Sequence, residues 1–202
     1  MRLLFVCTAN RSRSPVAAAL WQRELGRRGL TAHVESAGVL ARDGEPIVPS
    51  MAWAAVLHGI RLADHRSRAL DAGMAARADL ILTMTREQAD QVGMTHPRVG
   101  DRLFLLGELA ALLRMDVGMP LDPGTPRAAI STSWTAAPAL ATTTLATTDR
   151  LAATLATARA RRILRGLVDD DVTEPGDDRD HANATLERIA ADLRTIADAL
   201  VG

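Results

Sequence analysis

Four short segments rich in apolar residues are spaced along the first half of the chain. They are Leu3–Val6, Val34–Val39, Ala78–Met84 and Leu103–Leu106. Short apolar runs of this kind are typical of parallel strands buried on both faces. Helix-forming stretches follow them, and this alternation predicts an α/β fold. We expect a three-layer α/β/α sandwich with a central, mostly four-stranded parallel sheet.

The clearest helical pattern lies at the C-terminal end of the chain. Apolar residues recur there at spacings of three and four, which predicts one apolar helix face. They are Leu186, Ile189, Leu193, Ile196 and Leu200. Further helices are predicted at Ala17–Leu25, at Met51–Leu57, from near Arg86, and at Glu108–Leu113.

Residues 114–168 depart from this alternation. Ser131–Thr157 is rich in Ala and Thr and contains near-repeats, with a weak apolar stripe at Leu140, Leu145, Leu151 and Leu155. Long insertions concentrate in surface loops, so a tolerated surface insertion is the favoured interpretation. An inserted helix or a mobile flap remains open. We therefore expect residues 1–202 to form one domain with an Ala/Thr-rich inserted segment at about 114–168.

Composition excludes several classes of function. Lys plus Arg and Asp plus Glu number 24 each, and the formal net charge is +0. No overall charge favours nucleic acid or an anionic membrane, and no stretch is long and apolar enough to span a bilayer. The only cysteine is Cys7. An intramolecular disulfide and a multi-cysteine zinc site are excluded, and a reducing cytoplasm is expected.

The segment from Cys7 to Pro15 predicts an oxyanion site. Cys7 ends the first candidate strand, five residues separate it from Arg13, and Ser14-Pro15 opens a helix. A loop of this length can turn its backbone N–H groups inward at the positive end of the helix. The field that binds phosphate also stabilises a thiolate. Arg13 can hold two phosphate oxygens, and Ser14 can donate a hydrogen bond to the sulfur.

This loop resembles that of the low-molecular-weight protein tyrosine phosphatase family. Further matches to its motifs are Ser36-Ala37-Gly38, His58-Gly59-Ile60, Asp64–Arg68 and Ala78–Met84. The resemblance implies hydrolysis of a phosphomonoester, in particular protein phosphotyrosine, through a cysteinyl-phosphate intermediate and without cofactor or metal. The partners implied are a phosphorylated protein or a small phosphomonoester and, at most, a weak homodimer. The phosphate-binding residues would be Thr8, Ala9, Asn10, Arg11, Ser12, Arg13 and Ser14.

The resemblance also implies supporting residues and a general acid. Asn10 would adopt a left-handed conformation, tied to Ser36 and His65 in a second layer. The family places its acid, an Asp before Pro, just ahead of the C-terminal helix. Glu174 precedes Pro175 here, so Glu174 is the predicted acid and Asp171 the alternative.

Two other functions remain open from the sequence. Arsenate resembles phosphate, so an arsenate reductase that uses the Cys7 loop with an external thiol is the first alternative. A non-catalytic oxyanion-binding module is the second. Gly176 stands where the family carries an aromatic residue, and the chain has no Tyr. An aromatic wall for a phosphotyrosine ring is therefore not evident.

Overall fold

The computed structural model describes residues 1–114, 154, 155, 158 and 170–201. Four parallel strands form one sheet in the order β2-β1-β3-β4. Their bounds are β1 Arg2–Cys7, β2 His33–Gly38, β3 Leu80–Thr83 and β4 Leu103–Leu105. Each lies within one of the predicted strand segments or overlaps it to within a residue or two. The predicted sheet is therefore confirmed.

Six helices are described around the sheet. They are α1 Arg13–Arg27, α2 Pro49–Leu57, α3 Ala72–Arg77, α4 Arg86–Thr95, α5 Leu106–Arg114 and α6 Arg179–Val201. A 3-10 helix covers Pro97–Arg102. The sequence pattern missed α3 and the 3-10 helix, both of which have only six residues.

Alternate side chains of the strands enter two separate cores, because successive residues of a strand point to opposite faces. Leu3 and Phe5 pack into the core that contains apolar residues of α1, α2, α5 and α6. Leu4 and Val6 pack into the core shared with α3 and α4. Both faces of the sheet are covered, as expected for parallel strands. The predicted three-layer sandwich is confirmed.

Strand β1 lies inside the sheet, between β2 and β3. Its carboxyl end, Cys7, opens the loop that leads into α1 at Arg13. Ligands of parallel α/β sheets bind outside the carboxyl ends of the strands. The topology therefore brings the predicted oxyanion loop to the edge where such sites form.

Most of the predicted insert, including Leu140, Leu145 and Leu151, lies outside the described residues. Leu155 and Ala158 are described, and both are buried in the core that also contains residues of α5 and α6. The single-domain organisation with an insert at about 114–168 stays a prediction. In the described part of the chain, no helix is long and apolar enough to cross a membrane.

Candidate active site

Cys7 occupies the floor of the site. Its side chain is buried, and its Sγ accepts the backbone N–H of Asn10 at 3.3 Å. The Oγ of Ser14, in the first turn of α1, lies 3.0 Å from the sulfur. Ser14 Oγ also lies 3.2 Å from the carbonyl oxygen of Ala37. Rotation of the hydroxyl can therefore direct its one hydrogen bond to the sulfur instead of to the carbonyl oxygen.

The backbone carbonyl groups of the loop point outward. The carbonyl oxygens of Cys7 and Thr8 accept the N–H groups of Val39 and Leu40, and that of Arg11 accepts the N–H of Val48. In a trans peptide the N–H points opposite to the carbonyl. The N–H groups that follow these carbonyls, on Thr8, Ala9 and Ser12, therefore point to the inside of the loop, as an anion site requires.

Asn10 holds the loop in shape from behind. It is buried and has φ 54, the only positive φ of a non-glycine residue among those described. Its Nδ2 donates to Ser14 Oγ and to Ser36 Oγ, each at 2.9 Å, and its Oδ1 accepts the N–H of Arg68 at 3.0 Å. Asn tolerates this left-handed conformation better than most residues. Its side chain thus links the loop to β2.

His65 lies 2.6 Å from the carbonyl oxygen of Asn10 through its Nε2. A carbonyl can only accept, so Nε2 carries the proton. Burial lowers the pKa of His65, the hydrogen bond to Asn10 partly opposes this shift, and the neighbouring Arg68 and Arg66 lower the pKa further. At neutral pH the imidazole is therefore uncharged and donates to the loop. Ser36 and His65 both contact Asn10, as the family resemblance implies.

Gly38, at the end of β2, permits close approach of the loop. A Cβ atom there would lie 2.5 Å from the carbonyl oxygen of Thr8 and 2.8 Å from the N atom of Asn10. Neither neighbour is a flexible side chain that could move aside. Any larger residue at position 38 would clash with the backbone of the loop, which explains the glycine of the Ser36-Ala37-Gly38 motif.

Arg13 closes the site and is itself buried. Its Nη1 donates to the carbonyl oxygen of Val172 at 2.9 Å, and its Nη2 lies 2.5 Å from a carboxylate oxygen of Glu174. Among the described residues, Arg13 Nε and Ser12 Oγ are buried without a hydrogen-bond partner. Nε and Nη2 form one edge of the guanidinium, which matches two oxygens of a phosphoryl group.

The structure separates the two candidate acids. Glu174 borders the same cleft, of about 370 Å³, as Cys7 and Arg13. Asp171 does not border it, and its Oδ1 accepts the backbone N–H of Arg86 at 2.8 Å. Asp177, which sequence reasoning missed, borders the cleft as well. The acidic run that continues beyond Pro175 was the available signal for Asp177.

Gln88 is a second residue that the sequence did not single out. It is buried, and its Nε2 donates to Thr8 Oγ1 at 3.0 Å. Its Oε1 accepts the N–H groups of Met84 and Thr85 at 3.0 and 3.1 Å. Thr85 followed by Gln88 is a helix-capping pattern that sequence alone can indicate. The contact with Thr8 depends on the fold and could not be foreseen.

Arg13→Lys is expected to lower kcat/KM by roughly 10²–10³-fold, the usual cost of losing one oxyanion donor. Lysine keeps the charge but loses the two-pronged edge. Steady-state kinetics with an aryl phosphate measure the loss. Arg77→Lys is the matched control, because the Arg77 guanidinium makes a two-pronged contact with Glu35 and does not line the cleft. Equal kinetics for Arg13→Lys and the unaltered chain would contradict a phosphate contact.

A buried cysteine at a strand end, an inward-facing loop and a closing arginine define an α/β protein of the Cys-x5-Arg phosphatase class. The family model described as "Low molecular weight phosphotyrosine protein phosphatase" matches residues 2–128. The chain belongs to the low molecular weight phosphotyrosine protein phosphatase family, and it is a hydrolase of that family.

Similar proteins agree with this assignment. A "Probable low molecular weight protein-tyrosine-phosphatase EpsP" of Ralstonia nicotianae is 38% identical over 107 residues, which are 53% of this chain and 71% of that protein. A "Protein-arginine-phosphatase" of Bacillus subtilis is 36% identical over 123 residues, 61% of this chain and 79% of that protein. The solved structure of a YwlE mutant from Bacillus subtilis has a TM-score of 0.68 at 25% identity, and the match covers 100% of this chain and 99% of that one.

Proposed function

We propose that this chain hydrolyses protein phosphotyrosine through a cysteinyl-phosphate intermediate. The observation that carries the proposal is the shared cleft: Cys7 lies at its floor, and Glu174 and Arg13 meet beside it. Such a cleft offers a nucleophile, an oxyanion contact and a carboxyl group to one phosphoryl group.

The reaction takes two steps. In the first, the Cys7 thiolate attacks phosphorus, the bond to the leaving oxygen breaks, and Glu174 gives that oxygen a proton. In the second, water attacks phosphorus and the P–S bond breaks. Glu174 takes a proton from the water, and the departing thiolate accepts a hydrogen bond from Ser14, whose Oγ lies 3.0 Å from the sulfur. Arg13 balances the charge on the phosphoryl oxygens in both steps.

Protein phosphoarginine is the second candidate substrate. One relative is named as a protein-arginine-phosphatase. Two carboxylate residues, Glu174 and Asp177, border the cleft, and they would attract a cationic guanidinium leaving group. Among the described residues that line the cleft, none is aromatic. Phosphotyrosine is the first candidate substrate because the description of the matching family model names it.

A three-substrate assay tests the proposal. Phosphate release is measured from matched peptides that carry phosphotyrosine or phosphoarginine, and arsenate is offered in parallel with a small thiol. We expect the highest kcat/KM with the phosphotyrosine peptide. A higher kcat/KM with the phosphoarginine peptide would change the proposed substrate and leave the proposed mechanism as it is. Turnover of arsenate alone would favour the reductase, and turnover of none would favour an oxyanion-binding module.

Three further expectations remain predictions. The single thiol fits a reducing cytoplasm, where Cys7 would stay reduced. A weak homodimer is the oligomeric state that the family resemblance implies. No nucleic acid or membrane partner is expected, because the formal net charge is +0.

A further inference from the structure

The segment that carries Glu174 is bound to the rest of the molecule by contacts of the residues that precede Glu174. Asp171 Oδ1 accepts the N–H of Arg86, the first residue of α4, at 2.8 Å. The N–H of Val172 donates to the carbonyl oxygen of Met84 at 2.7 Å. Both contacts hold the start of the segment against the junction between β3 and α4. Only the contact of Asp171 is made by a side chain, so mutation can remove it.

The same junction is tied to the loop that carries Cys7. Gln88 binds the N–H groups of Met84 and Thr85 with one end of its amide and Thr8 with the other. Arg13 adds a direct contact with the carbonyl oxygen of Val172 at 2.9 Å. The position of Val172, which lies two residues before Glu174 in the sequence, is therefore fixed relative to Cys7.

Residues that follow Glu174 in the sequence also bind the segment to the rest of the molecule. Ser50, a buried residue of α2, donates its hydroxyl to the carbonyl oxygen of Gly176 at 2.8 Å. The guanidinium of Arg179 lies over the ring of Trp53, also on α2, at 5.3 Å from its centroid. Pro175 lies between these contacts and Glu174, and its ring fixes φ. Glu174 is thus held from both sides.

We propose that Asp171 and Ser50 are positioning residues for the hydrolytic reaction, holding the backbone of Glu174 at the Cys7 cleft. The inference rests on the proposed function, in which Glu174 is the acid. Glu174 is 45% exposed, and its carboxylate forms an ion pair with Arg13. Its side chain has little packing to orient it, so the backbone contacts on either side set its reach. A displacement of about 1 Å can cost roughly 10²-fold in rate.

Asparagine at position 171 separates positioning from acid catalysis. Asn keeps an Oδ1 that accepts the N–H of Arg86 but cannot deliver a proton at neutral pH. With a leaving group that needs a proton, Asp171→Asn should therefore retain most of the activity, and Asp171→Ala should lose a large part of it. Were Asp171 the acid, both substitutions would be equally damaging.

The experiment compares Asp171→Ala, Asp171→Asn and Ser50→Ala, each alone and combined with Glu174→Gln. The substrates are phenyl phosphate, whose leaving group needs a proton, and 2,4-dinitrophenyl phosphate, whose leaving group does not. We expect the two alanine variants to lose about 10- to 100-fold in kcat/KM, which reports the first step, with phenyl phosphate and little with the dinitrophenyl ester. In the Glu174→Gln background they should cause no further loss, because residues that act through one group are not additive.

Asp71→Ala is the matched control, since Asp71 caps α3 through the N–H of Met74 at 2.7 Å and does not line the cleft. Asp71→Ala should leave the ratio of the kcat/KM values for the two esters unchanged. If Asp171→Ala does not fold, Ser50→Ala decides the question. Equal losses with both esters, or losses additive with Glu174→Gln, would overturn the positioning role. If Glu174→Gln itself shows no leaving-group dependence, the proposed acid fails instead.

Discussion

Cys7→Ser is expected to abolish turnover, because the hydroxyl is a far weaker nucleophile than the thiolate that it replaces. Removal of a covalent nucleophile costs on the order of 10⁶ in kcat. Serine fits the same place, where the Asn10 N–H and Ser14 Oγ can bind its oxygen. Binding of phosphate or vanadate should therefore be partly preserved. Single-turnover kinetics and calorimetry with phosphate measure the two effects separately.

Cys7→Ala tests whether the effect belongs to the nucleophile. It removes the reacting atom altogether and should be equally inactive, while its thermal unfolding reports whether the buried site still packs. Retention of near-original activity by either variant would refute the covalent mechanism. Loss of both turnover and anion binding, in a folded protein, would mean that Cys7 supports the loop rather than reacts.

Glu174→Gln is expected to lower kcat/KM, which reports the first step, by about 10²–10⁴-fold with an unactivated aryl phosphate, the usual range for general acid catalysis. Glutamine keeps the shape of the side chain but cannot give a proton to the leaving oxygen. The loss should be smaller with 4-nitrophenyl phosphate, because nitrophenolate leaves without assistance. The basic limb of the pH–rate profile requires the protonated acid, so it should disappear as well.

Asp177→Asn is the matched control for this substitution. Asp177 borders the same cleft, so the change removes an equal charge at a similar place. We expect Asp177→Asn to show no dependence on the leaving group. The reverse result, with dependence for Asp177→Asn and none for Glu174→Gln, would move the acid to Asp177. No dependence in either variant would mean that neither carboxyl group protonates the leaving oxygen.

The sheet could be predicted because its strands are buried on both faces. Such strands consist almost entirely of apolar residues, and Leu3–Val6 and Leu80–Leu82 are uninterrupted examples. Helix α3 escaped prediction because it is short and contains Gly73, and its capping residue, Asp71, was not recognised. The nucleophile loop was predictable because all of its contacts with the sulfur come from one continuous segment.

The acid segment could not be placed from sequence in the same way. Position before Pro175 singled out Glu174, but nothing local distinguishes Asp171 as a group that binds the start of α4. That contact joins residues 85 positions apart. The link from Gln88 to Thr8 spans 80 positions. Contacts of this kind follow from the strand order, which the spacing of residues does not encode.

The ion pair between Arg13 and Glu174 has a consequence for the order of events at the site. The carboxylate of Glu174 and a phosphoryl group would compete for the same Nη2 atom of Arg13. A phosphoryl group that binds Arg13 through its Nε and Nη2 edge must therefore displace Glu174 from it. Binding of the substrate thus releases the side chain that has to reach the leaving oxygen.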